Sequence, residues 1–206
     1  MHQNLNLIQG GLQTFEAHQE AVMPLYLHAF THAPYQNQYL NYREELEWLK
    51  NLFKVHQAQC YFAFHTDQLV AFMLIAPTSY DQKMPAVVFE TYPLSKCLSI
   101  AEIAVCPEYR GQGIAGTLLK TLIHSKTAQS FEYLVARTNQ NAQAAKKLYS
   151  AHGFKEVLRF DALVPFRVKN SLENRLIPKC CFVYHTHDAA PAKMITSLAI
   201  QNLDVG

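Results

Sequence analysis

Glycine is scarce in this chain: seven occur among 206 residues, and none lies between Gly11 and Gly111. Charge is low as well. Only 17% of residues are charged, and eighteen basic against sixteen acidic side chains leave a net +2. So small an excess gives no electrostatic footprint for nucleic acid. Long apolar runs are missing. The longest, Leu69 to Ala76, falls far short of the about 20 residues a membrane-spanning helix needs. The five cysteines form no C-x-x-C pair, Cys180 and Cys181 being adjacent, and the ten histidines fall in no metal-ligand spacing. The segment MHQNLNLIQGG carries no basic or apolar leader region, which predicts no secretory signal. Together these absences predict a soluble, cytoplasmic protein with reduced thiols, no bound metal, and neither nucleic-acid nor membrane partners. Self-association is untouched by them, so a homodimer stays open.

Half of the residues are hydrophobic, enough for a folded core, and the length suits one domain. Leu5 and Leu7 alternate with polar neighbours from Asn4 to Gln9, predicting a strand closed by Gly10-Gly11. Thr14 to Phe30 reads as a helix interrupted at Pro24, which kinks it. Tyr42, Leu46, Leu49 and Phe53 mark the apolar face of a second helix. A hairpin follows, with strands at Gln59–Phe64 and Leu69–Ala76. Between Pro77 and Lys96 the pattern weakens around one strand-like stretch, AVVFETY. Leu98–Val105 is a strand, and Ile114, Leu118, Leu119, Leu122 and Ile123 line a helix. Phe131–Ala136 is the next strand. A helix through Ala145, Leu148 and Tyr149 then ends at Gly153, a left-handed cap position. VLRFDALVPF and CCFVYHT are the last strands. The order β-α-α-β-β-β-α-β-α-β-β predicts one α/β domain with a mixed sheet.

Gly111, Gly113 and Gly116 fall within six residues, GQGIAG, between a strand and a helix. Read as G-x-G-x-x-G, the run suggests a dinucleotide fingerprint. In that motif, however, the first glycine follows the strand almost at once, and an acidic residue ends the next strand. Here Cys106 to Arg110 intervene, and Glu132 sits at the start of its strand. Read from Arg110, the run is R-x-x-G-x-A opening a helix. Small residues there let a ligand approach the backbone, while successive amides and the helix N-terminus aim positive charge at it. Such a device suits a pyrophosphate, with Arg110 as a fixed cation.

On these residues, IAVCPEYRGQGIAGTLL (Ile103 to Leu119) resembles the acyl-CoA signature of the GNAT superfamily of acyl-coenzyme A-dependent N-acyltransferases. NAQAAKKLYSAHGF (Asn141 to Phe154) is similar to that family's later motif. The dense resemblance covers Leu98 to Val157. It implies a single GNAT-like α/β domain over residues 1–187, with a mixed, mostly antiparallel sheet flanked by helices. Residues 188–206 would then form a C-terminal extension in which Met194, Leu198 and Ile200 suit a packing helix. The resemblance further implies acetyl-CoA as co-substrate. Ala104 and Val105 would hydrogen-bond its pantetheine arm as an added strand. The amides of Arg110, Gly111, Gln112, Gly113, Ile114 and Ala115 would hold its pyrophosphate. Asn141 matches an asparagine that approaches the cofactor, although it lies seven residues before Leu148 where six is usual, and Asn139 is the other candidate. Lys120, Lys146 and Lys147 are candidates for the 3′-phosphate.

Acyl transfer to an amine needs a base for the ammonium, a polarised carbonyl and a proton for the thiolate. Glu102, on the strand face opposite Val105, is the candidate base. Its other reading is a contact for a cationic substrate. Tyr149 matches the tyrosine of the family's Leu-Tyr pair. A phenol of pKa about 10 can donate to a thiolate whose conjugate acid lies near 8.5. Its other reading is aromatic packing. Amides around Val105 would polarise the carbonyl. The family transfers the acyl group directly, so Cys106 reads as structural. Tyr80, Asp81, Glu90 and Tyr92 are candidates to line the acceptor pocket. The predicted activity is thus transfer of an acyl group, acetyl in the first instance, from coenzyme A to a primary amine. A non-catalytic acyl-CoA-binding sensor is the alternative, and a nucleotide-dependent oxidoreductase a distant third.

Overall fold

The computed structural model describes residues 5–32, 40–168 and 171–187. The expected extension at 188–206 lies outside them. Seven strands form one mixed sheet in the order β1-β2-β3-β4-β5-β7-β6. These are β1 (Leu5–Gly10), β2 (Gln59–His65), β3 (Gln68–Pro77), β4 (Cys97–Val105), β5 (Tyr133–Asn139), β6 (Lys155–Val168) and β7 (Ser171–His185). All neighbours are antiparallel except β4 and β5. The helices are α1 (Leu12–Thr31), α2 (Tyr42–His56), α3 (Ala86–Thr91), α4 (Ile114–Ile123), α5 (Lys126–Gln129) and α6 (Gln143–Ala151).

One face of the sheet carries α4, α5 and α6. Leu118, Leu119 and Leu122 of α4 and Tyr149 of α6 pack on Met73, Ile75, Ile100, Leu134 and Phe182. The other face carries α1 and α2, with Phe15, Met23, Leu49 and Phe53 on Phe62, Phe72 and Leu74. Covered on both sides, β3 has no solvent face, which is why Leu69–Ala76 is apolar without alternation.

Two local readings are corrected. The α1 helix continues through Pro24 rather than dividing there. The stretch AVVFETY is not a strand, since its residues Ala86–Thr91 form α3. Met84, Val88 and Tyr92, four apart, bury together against Cys97, Val135 and Cys181. That helical spacing overrides the strand preference of Val87, Val88 and Phe89.

The feature that makes a site is the junction of β4 and β5. They pair only from Cys97↔Tyr133 to Ile100↔Ala136, although β4 continues to Val105 and β5 to Asn139. A bulge coincides with the parting: Leu74 faces Glu102 and Ile75 faces Ile100, leaving Ala101 without a partner on β3. Beyond it, β4 is paired on the β3 side and open on the other.

Candidate active site

The opening between β4 and β5 leads into a cavity of about 870 Å³ bordered by both sheet faces. Backbone alternation decides what the open edge offers. The Cys106 N–H donates to Val70 O on β3 at 2.8 Å, so the backbone groups of Ile103 and Val105 point the opposite way, into the opening. The pair expected at Ala104 and Val105 therefore divides. Ala104 lines the cavity, but its backbone groups turn toward Phe72, its β3 partner. At Val105 the carbonyl accepts the Arg110 Nε–H at 3.1 Å, which leaves the N–H groups of Ile103 and Val105 as donors on the open edge.

Past β4, a one-turn helix at Pro107–Tyr109 carries the chain to Gly111 and Gly113, at φ +75° and +80°. These left-handed conformations are why glycine is needed, since a Cβ on either would meet nothing within 4 Å. Gly113 is the N-cap of α4 and supplies no side chain. The first intrahelical bond is Thr117 N–H to Gly113 O, so the amides of Ile114, Ala115 and Gly116 precede any helical acceptor. Gly111, Gly113, Ile114, Ala115 and Gly116 all border the cavity, as does Arg110. Gln112 does not; its side-chain Nε2 donates to Glu108 O at 3.1 Å and closes the loop. An open row of amides at the start of a ten-residue helix, with free space above two left-handed glycines, fits a pyrophosphate.

Glu102 and Tyr149 reach the same cavity from opposite faces. Glu102 shares its face with Ala104, which packs with the α1–α2 cluster, whereas Val105 packs on the α4–α6 side. Burial pushes the Glu102 carboxyl up to about 8, with Lys179 and Arg137 pulling it down and Glu45 and Asp81 adding to the rise. Tyr149 is buried on α6 against the rings of Phe154 and Phe182, at 5.4 and 5.5 Å between centroids.

Asn141 also borders the cavity. Its N–H donates to Asn139 Oδ1 at 2.8 Å, so the Asn139 side chain holds the turn into α6 and is itself buried. Of the three lysines, Lys147 lines the cavity, Lys146 pairs with Glu156 at 3.5 Å, and Lys120 lies away from it. Tyr80 and Asp81 also line the cavity, positioned by a Thr78–Ser99 hydroxyl contact of 2.8 Å that ties their turn to β4. Glu90 and Tyr92 do not; Tyr92 packs edge-on against Tyr133 and His185. The Cys106 thiol donates to Glu108 Oε2 at 2.9 Å and is pushed up by burial, then by that bond. It is no ready thiolate. Among the described residues, no cluster of His, Cys, Asp or Glu could hold a metal ion, and no helix is long and apolar enough to cross a membrane.

Sequence reasoning missed Arg137, Lys179 and Trp48, which line the cavity together with Asp81 and Glu102. The available signal was a lone charge in the strand YLVARTN and a lysine directly before the apolar run CCFVY.

The family model "Acetyltransferase (GNAT) family" matches residues 19–154. No curated protein matches the sequence. Among solved structures, the chain is similar to an N-acetyltransferase from Staphylococcus aureus Mu50, with TM-score 0.64 and 16% identity over 89% of this chain and 99% of that one. It is similar to a putative acetyltransferase from Salmonella typhimurium with its cofactor acetyl-CoA, with TM-score 0.63 and 14% identity over 92% and 98%. A ribosomal-protein-alanine N-acetyltransferase from Brucella melitensis gives TM-score 0.63 and 17% identity over 87% and 99%. At these identities the neighbours speak for the fold, and the match over 19–154 speaks for the family. The chain belongs to the GNAT acetyltransferase family, which uses acetyl-CoA.

Proposed function

We propose that the protein transfers an acetyl group from acetyl-CoA directly to a primary amine across the opening between β4 and β5. The observation that carries this reading is the placement of Glu102 and Tyr149 on opposite sheet faces at one cavity, with the open α4 amides on its border. Bound there, acetyl-CoA supplies a thioester carbonyl and a thiol leaving group. The residues of the chain do the rest. The backbone amides of Gly111, Gly113, Ile114 and Ala115 hold the pyrophosphate, the Arg110 N–H being given to Pro107 O, and the open edge of β4 aligns the pantetheine arm. Asn141 and Lys147 border the cofactor's end of the cavity. The Val105 N–H is the donor placed to polarise the carbonyl. Glu102 accepts the ammonium proton from the α1–α2 side, and Tyr149 donates to the departing sulfur from the α4–α6 side.

Tyr149→Phe tests the division of labour. The phenyl ring keeps the packing on Phe154 and Phe182, so acetyl-CoA affinity is expected to hold while kcat falls about 10²-fold. The loss stays at the low end for an acid group because a thiolate is already a stable anion. Steady-state kinetics beside calorimetric acetyl-CoA titration read both quantities. An unchanged kcat would return Tyr149 to packing alone.

A further inference from the structure

The acceptor side of the cavity carries more charge than proton transfer requires. Arg137 of β5 stands opposite Cys181 of β7, and Asn139 opposite Lys179. Strand alternation therefore puts Arg137 and Lys179 on one face, the face bearing Cys181 and α3. Both line the cavity with Glu102, beside Trp48, Tyr80 and Met84. Asp81 accepts the Arg137 Nε–H at 2.9 Å. The Arg137 Nη1 is buried and makes no hydrogen bond.

Two cations on one half-buried wall repel each other. Burial, then the nearby Arg137, holds Lys179 down to about 8. Among the described residues lining the cavity, the carboxyl groups are Asp81, which pairs with Arg137, and Glu102, which burial holds mostly protonated at neutral pH. Like charges gathered in a cleft raise its affinity for the opposite charge.

We propose that this wall is a subsite for the carboxylate of the acceptor: Arg137 and Lys179 hold the carboxylate of a small amino acid whose amino group lies at Glu102. The proposal rests on the acetyl-transfer reading and names its substrate class. Trp48, Tyr80 and Met84 provide an apolar border, which suits an apolar side chain. Diamines and other polycationic amines would bring a second positive charge against Arg137 and Lys179, so the wall also rejects them.

The test compares leucine, methionine and phenylalanine with their α-carboxamides and with 1,5-diaminopentane. Two readouts run in parallel: kcat/KM, and the fluorescence of Trp48, the chain's sole tryptophan. At least one of the amino acids is expected to exceed its carboxamide about 10²-fold in kcat/KM, with the diamine poorest. Lys179→Met is expected to reduce that ratio to about threefold or less. Arg137→Lys, which keeps a cation for Asp81, is expected to reduce it in the same direction. Acetylation of amines with no preference for the carboxylate would overturn the subsite while leaving acetyl transfer standing. A Trp48 response to the amino acids but not to their carboxamides, without turnover, would uphold the subsite and overturn acetyl transfer. No Trp48 response to any amino acid, or an unchanged ratio in Lys179→Met, would overturn the subsite.

Discussion

Gly113→Asp is expected to abolish acetyl-CoA binding in a protein that still folds. Gly113 caps α4 at φ +80°, immediately before the open amides of Ile114, Ala115 and Gly116, and a Cβ there would enter open space. An aspartate carboxylate in that position would occupy the anion's place and repel it. Folding survives because left-handed backbone strain at a non-glycine residue costs on the order of 1 kcal/mol, and aspartate tolerates that region better than most. Calorimetric titration is expected to give saturable heat with the wild-type protein and none with Gly113→Asp, with thermal melting confirming the fold. Gly113→Ala carries the strain without the charge and is expected to weaken binding without abolishing it. Undiminished affinity in Gly113→Asp would remove the pyrophosphate from α4.

Glu102→Gln is expected to lower kcat by roughly 10²–10⁴, the range for a lost general base. The pH dependence makes the test specific. A carboxyl held up to about 8 is mostly protonated at neutral pH, so the basic form grows about tenfold per unit as pH rises toward 8. The wild-type rate is expected to climb over that range and level off above it, and Glu102→Gln to lose the climb. Lys179 titrates in the same region, but its charge pulls Glu102 down. Lys179→Met should therefore move the climb to higher pH, a direction that Lys179 acting as the base would not give. Stability carries the same sign. Between its ordinary value of 4.5 and about 8, the Glu102 carboxyl binds its proton more tightly in the native chain, so its contribution to stability falls as pH rises through that window. Relative to wild type, Glu102→Gln should gain melting temperature from pH 5 to pH 8. A variant with the wild-type rate and the wild-type climb would contradict the base assignment.

The α4 end of the cavity was legible because its signals are local. Gly111 and Gly113 sit within a few residues of Arg110 and the α4 apolar face, and their spacing encodes both the turn and the helix start. The wall around Arg137 and Lys179 is assembled by topology. Arg137 and Lys179 become neighbours only because β7 inserts between β5 and β6, a sheet order that strand periodicity does not specify. The bulge at Ala101 was equally hidden, since one unpaired residue leaves no mark on a strand as apolar as CLSIAEIAV. In α3, β-branched composition pointed one way and the Met84–Val88–Tyr92 spacing the other. Burial decided for the helix.

Acetyl transfer is tested most directly by acceptor-dependent release of coenzyme A thiol. The purified protein is mixed with acetyl-CoA and, in turn, amino acids, diamines and peptide N-termini, with mass spectrometry of the acceptor. Stoichiometric release of thiol and appearance of an N-acetylated amine is the expected result. Saturable acetyl-CoA binding with no acceptor-dependent release from any amine would contradict it, leaving a protein that holds the thioester without passing it on.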